Sequence, residues 1–244
     1  GPDGRDRTAP GVPIFAVHQQ TFDAADYERW YSTYNRSVTP PDEWWARWDN
    51  TKPGLERTVA RSAIWPAVLG GLWSGEDAGG AAVVIDQHIR SVAGDPVAAP
   101  ERYRTVLRWD ETTGRLSAEL CWWARPAARW PGTTWWQVAP AVSDPSAWSM
   151  WKVDEPVSPF DVVDGGGRAL HVADRVSHPD GVEVELVDTG LIAPGAPRPL
   201  VWDDARVDLR AGWHVCVLSN LWGTNFPMWN EGDGRCRVSV ALPR

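Results

Sequence analysis

Five histidines, His18, His88, His171, His178 and His214, are the residues of this 244-residue chain best suited to general-base work or metal binding. They lie far apart, without the i, i+2 or i, i+4 spacing by which one strand or helix aims two rings at one ion, so no zinc site is expected. His171 and His214 each fall in an alternating stretch, where a histidine is ordinarily a satisfied strand residue. Carboxylates are more numerous. Asp110-Glu111, Asp154-Glu155, Asp203-Asp204 and Glu231/Asp233 would each supply an acid and a base, but that work depends on separation in space, and neighbours in sequence mark turns and solvated edges. Glu231 and Asp233 have the best placement. They follow Trp229 in "NLWGTNFPMWNEGDG", Asn220 to Gly234, which gathers aromatic rings and amides and suits neither a plain strand nor a plain loop. Its "NEGDGR" end offers at most three oxygen side chains and reads as a turn rather than a calcium loop. No GxSxG elbow, Walker loop, HExxH or CxxC is present, and neither a metal nor a cofactor is expected.

Composition narrows the partners. A formal charge of −8, with Arg and Asp scattered along the chain, leaves no basic stripe for a nucleic-acid backbone. No run approaches the roughly 18 apolar residues of a membrane span, and no signal-peptide core is present, so a soluble protein without membrane contact is expected and its compartment stays open. Cys121, Cys216 and Cys236 cannot all pair within one chain and are read as reduced packing residues. Tryptophan is the outlier, with eighteen residues against four each of tyrosine and phenylalanine. Indoles fill wide gaps between layers, and they also form flat apolar platforms on which sugar rings or other ligands stack. Roughly twelve or more are expected to be core filler.

These side chains need elements to hold them. "TFDAADYERWYSTYN", Thr21 to Asn35, is the best helix, with Thr21 as its cap and Tyr27, Trp30, Tyr31 and Tyr34 at intervals of three and four. After Pro40-Pro41, "DEWWARW" opens a second short helix carrying Trp44, Trp45 and Trp48. Both aromatic stripes are expected to pack against a sheet. Beyond the break at Pro53-Gly54 the chain reads as strands and turns. In "RYRTVLRW" Tyr103, Thr105, Leu107 and Trp109 face one way and Arg102, Arg104, Val106 and Arg108 the other, as in a half-exposed antiparallel strand. "WDETTGRL", with Gly114 for the left-handed position, is a hairpin, and "DGGGR" and Asp180-Gly181 are tight reversals. No βαβ alternation and no fixed-period repeat appears, which excludes a doubly wound sheet, a propeller and a solenoid. The expected fold is mainly β, an antiparallel β-sandwich with a short N-terminal helical segment. Residues 1–11, opening on a Gly1-Pro2 that reads as the scar of a cleaved tag, form a frayed arm, 12–54 the helical segment and 55–244 the sandwich.

Several stretches, "QTFDAADYERWYSTY", "KPGLE", "WWARPAARWP", "VAPAVSDPSAWSMWKVDEPVSPFDVV", "RALHVAD", "DTGLIAPGAPRPLVWDD" and "VCVLSNLWGTNFPMW", in this order, resemble the C-terminal part of large bacterial and fungal proteins related to family 38 glycoside hydrolases, the α-mannosidase-like group. The resemblance covers nearly the whole chain from Gln20 to Leu242, and its most specific piece is "SNLWGTNFPMW". It implies a supersandwich of the galactose-mutarotase kind. The family's nucleophilic aspartate and metal site lie in a separate N-terminal domain to which nothing in this sequence corresponds.

The resemblance gives the aromatic stretch two answers. As structure, Trp222, Phe226 and Trp229 plug the gap between sheets while Asn220 and Asn225 satisfy backbone groups and Pro227 ends the ladder. As a site, Trp222 or Trp229 offers a stacking face and Asn225, Asn230 and Glu231, with Asn220 behind them, hydrogen-bond sugar hydroxyls. The expected function is a carbohydrate-associated module, noncatalytic alone, whose partners are a carbohydrate or small apolar ligand and a missing catalytic domain or a second copy of itself. The alternative is a small free-standing enzyme with a Trp-lined pocket and a carboxylate or histidine as acid/base.

Overall fold

The computed structural model describes residues 6–39, 41–77, 79–223 and 227–243. In chain order its regular elements are β1 (Val17–Thr21), α1 (Ala24–Tyr34), α2 (Glu43–Asn50), β2 (Ala63–Asp77), β3 (Gly80–Ile89), β4 (Arg102–Asp110), β5 (Arg115–Arg125), β6 (Gly132–Val138), β7 (Ser149–Lys152), β8 (Glu155–Val157), β9 (His171–Val172), β10 (Arg175–His178), β11 (Val182–Leu186), β12 (Leu191–Pro194), β13 (Trp213–Ser219) and β14 (Gly232–Ala241). Every described pairing is antiparallel, and the strands run in the order β8-β7-β10-β11-β14-β5-β4-β3-β2-β1-β6-β13-β12-β9.

The long strand β2 folds that order into two layers. Its first four residues pair with β1, and from Ala67 onward it pairs with β3. Pro66, which has no N–H to donate, stands at the changeover. Alternation then fills the space between layers: Tyr103, Leu120, Val184 and Val238 from one meet Val17, Trp136, Ile192 and Val215 from the other in one apolar cluster. Trp136 lies 5.5 Å from Phe15, and Trp148 meets Trp213 edge-on at 6.0 Å. The fold is a mainly β antiparallel sandwich, as the alternation predicts.

The outer face of the first layer is laced with charge. Arg104 makes a bidentate bond to Asp86 at 2.6 and 2.8 Å, Arg237 another to Asp188 at 2.9 and 2.8 Å, and Arg115 reaches Glu183 and Glu185. Cys121, expected inside, stands half-buried on this outer face beside Glu119, whereas Cys216 and Cys236 are buried; all three thiols are free. Both ends of the strand order are very short, β8 with three residues and β9 with two, which limits the unpaired edge offered to another chain.

The N-terminal part differs from expectation in three ways. Thr21 is the last residue of β1, and the cap of α1 is Asp23, whose carboxylate accepts from Asp26 N while the Asp26 carboxylate accepts from Asp23 N. Strand β1, within the stretch expected to be helical, lies between β2 and β6. Finally, α1 buries Tyr27, Trp30 and Tyr31, but α2 buries only Ala46, leaving Trp44, Trp45 and Trp48 exposed. Six tryptophans, Trp30, Trp122, Trp135, Trp136, Trp148 and Trp213, are buried and seven more are half-buried, in line with the expected filler, while Trp44, Trp45, Trp48, Trp73 and Trp229 are exposed. No described helix is long and apolar enough to cross a membrane.

Candidate functional site

Helix α2 stops just ahead of a proline that has no N–H to donate. Thr51 closes its last turn, bonding N and Oγ1 to Arg47 O at 3.0 and 2.5 Å; Pro53 cannot continue it, and Gly54 takes the left-handed conformation at φ 96°. The turn sets Lys52 between two adjoining hollows. One, of about 610 Å³, is walled by Tyr27, Glu28, Trp44, Arg47, Trp48 and Glu56. The other, of about 520 Å³, runs from Leu55 and Thr58 to Arg129, Trp130 and Met228.

Asn220 anchors this cleft. Its carboxamide is buried, accepting from Gly132 N at 2.9 Å and donating to Trp130 O at 2.9 Å and Met228 O at 3.1 Å, and its carbonyl accepts from Lys52 Nζ. One residue therefore joins the start of β6 and the far end of the aromatic segment through its carboxamide, and the turn after α2 through its backbone carbonyl. Gly223 brings the segment against that turn so closely that a Cβ there would lie 2.7 Å from Thr51 O. Trp222, half-buried, packs 4.9 Å from Trp30.

Further along, Trp229 is 39% exposed, with the Arg129 guanidinium 5.2 Å from its ring centre. Asn230 offers its carbonyl to Arg125 Nε at 2.9 Å, and its side chain donates across a long 3.5 Å to Ser219 O. Buried Arg125 also donates to Thr134 Oγ1 at 3.2 Å, and Thr134 donates to Gln19 Oε1 at 2.6 Å, so a polar thread runs from the segment into the core. Glu231 is exposed, and Asp233 accepts from the N–H of Ala124, a residue held at φ 53°. Of the residues singled out from the sequence, Trp222, Asn220, Trp229, Asn230 and Glu231 are thus placed on one segment; Asn225 and Phe226 lie outside the described residues. Asn220 faces backbone, while Trp229 and Glu231 face solvent.

Lys52 and Arg129 carry the electrostatics, and sequence reasoning passed over both. Burial, and then the Arg129 charge, push the Lys52 amine down to about 8. The available signal was the cation inside "TKPG", a cap-breaking turn that fixes where the side chain leaves the helix. Lys52 and Lys152 are the chain's two lysines, so ¹³C-dimethylation would give two assignable side-chain NMR signals. The Lys52 signal is expected to titrate near 8. A midpoint at the ordinary lysine value of about 10.4 would refute the burial described here.

The histidines lie elsewhere. His18 and His214, 196 residues apart, meet with Nε2 to Nε2 at 3.0 Å on the second layer. His178 is held by Asp144 O at 2.8 Å and Asp180 N at 3.1 Å, His171 lies 3.3 Å from Lys152 Nζ, and His88 is exposed. Among the described residues no group of three or more His, Cys, Asp or Glu side chains could hold a metal ion. What the cleft offers is surface and hydrogen bonds: indole faces at Trp44 and Trp48, a floor of Trp130 and Met228, and two cationic donors, with Trp229 beside it against the Arg129 guanidinium. Compared with known proteins, the chain matches no family model and no curated protein.

Proposed function

We propose that the chain is a carbohydrate-associated β-sandwich module, of the kind that accompanies the catalytic domain of α-mannosidase-like glycoside hydrolases, and that it is noncatalytic on its own. The observation that carries the reading is the cleft at Lys52, where exposed indoles stand beside hydrogen-bonding groups on a backbone pinned by Asn220. A sugar has an apolar face and a hydroxylated edge, and a fixed ring flanked by polar groups matches both. The sandwich fold and the order of the resembling stretches support the same reading.

Titrating the protein with mannose, mannobiose and glucose, followed by tryptophan fluorescence and NMR, tests it. Weak saturable binding is expected, and Trp229→Ala should weaken it about tenfold, as loss of a central aromatic contact does. Absence of binding to any saccharide would remove the carbohydrate assignment. Turnover of aryl-glycosides by the pure chain would remove the noncatalytic one.

A further inference from the structure

The second hollow has a charge pattern at odds with the molecule as a whole. Its wall is built from Lys52, Pro53, Gly54, Leu55, Thr58, Ala128, Arg129, Trp130 and Met228, which include two cations and no carboxylate, in a chain of net charge −8. Several other arginines have acidic partners, such as Arg104 with Asp86, Arg237 with Asp188 and Arg47 with Glu28 and Glu43. Arg129 instead lies over the Trp229 ring, and Lys52 donates to a backbone carbonyl, so neither charge is neutralised by a carboxylate among the described residues. Lys52 is also half-buried, which makes an unneutralised ammonium costly there.

We propose that this hollow binds a sugar acid, a saccharide whose ring carries a carboxylate or sulfate, with the oxyanion between Lys52 and Arg129 and the apolar ring face over Trp130. The proposal rests on the carbohydrate reading above and narrows it from sugars in general to anionic ones. An anion between the two cations relieves both the desolvation of Lys52 and its repulsion by Arg129, and the volume of about 520 Å³ is in the range of small-ligand sites. The same arrangement makes binding depend on the Lys52 proton, so affinity should decline as pH rises through about 8.

The experiment compares matched pairs, glucuronic acid against glucose and mannuronic acid against mannose, by calorimetry and by the shift of ¹³C-dimethylated Lys52, with sodium sulfate as a third arm. The acid of each pair is expected to bind about tenfold more tightly or better, with salt weakening it, because a charge-assisted bond is added. Arg129→Gln, at an exposed position that leaves the fold alone, should bring the acid down to the level of its neutral partner, and Lys52→Met should do the same. Equal binding of acid and neutral sugar would overturn this inference and leave the carbohydrate reading standing. Binding of neither would remove both. Sulfate binding as tight as the sugar acids would also overturn it, since the ring would then contribute nothing.

Discussion

Asn220→Ala is expected to lower the unfolding free energy by about 3–5 kcal/mol, the largest single-residue effect outside the apolar core. The reason is the number of groups left behind rather than the bonds lost. The carboxamide joins one N–H, of Gly132, and two carbonyls, of Trp130 and Met228; removing it leaves the buried Gly132 N–H and the two part-buried carbonyls without that partner, at about 1–3 kcal/mol each before relaxation. Asn220→Asp is expected to do no better, because it sets a carboxylate against the same two carbonyls. Asn230→Ala is the contrast, since among the described residues its side chain makes a single bond of 3.5 Å, and it should cost under about 1 kcal/mol. Urea denaturation of the three variants measures all of this. A loss below about 1 kcal/mol in Asn220→Ala would mean that the anchor is not one. Sugar binding should fall with it, because Trp130 and Met228 form the cleft floor that Asn220 holds together.

That anchor also shows what a sequence discloses and what it conceals. Strand β4 was legible because its alternation is complete, and Gly114 and Gly181, at φ 68° and 84°, stand where the hairpin patterns put them. Strand β1 was not. Its inward residues are Val17, Gln19 and Thr21, two of them polar, and Gln19 is buried because Thr134 and Arg125 extend a polar thread through the core to meet it. Periodicity sees an apolar face, and this face is polar for a tertiary reason. In α2 the pattern misled in the opposite direction: Trp44, Trp45 and Trp48 have the spacing of a buried stripe, yet only the small Ala46 packs inward, beside Phe22, Tyr27 and Leu221. The aromatic segment was recognisable by composition, but the separate roles of its amides were not. Asn220 and Asn230 look alike in the chain, and only the carbonyls that surround the first make it structural. Lys52 and Arg129, 77 residues apart, become one electrostatic unit through the turn after α2 and the approach to β6, which no local pattern records.

Acid is expected to destabilise the protein well before its ion pairs titrate, with a loss of about 3 kcal/mol or more between pH 6.5 and 4.5. His18 is pushed down to about 4 by burial, His214 to about 3 by burial and then by His18, and His171 to about 4 by burial and then by Lys152. In each case the folded value lies below the ordinary histidine value near 6.5, so between the two the unfolded chain binds more protons. The stabilisation is complete above about 6.5 and is lost as pH falls toward the folded values. For the pair the structural consequence is direct: the 3.0 Å contact needs one Nε2 to donate and the other to accept, and protonating the acceptor leaves two donors facing each other. Carboxylates held low by arginine, such as Asp86 and Asp188, begin from an unfolded value near 3.8 and so contribute their loss at lower pH. Denaturation at pH 7.5, 6.5, 5.5 and 4.5 therefore isolates the histidines. His18→Gln and His171→Gln should each lie below the wild type at pH 7.5 and converge on it at 4.5, because each removes one of the groups that takes up a proton on unfolding. A wild-type stability unchanged between pH 6.5 and 4.5, or variants that keep a constant offset, would show that these rings are hydrated in solution and that the second layer is looser than its packing implies.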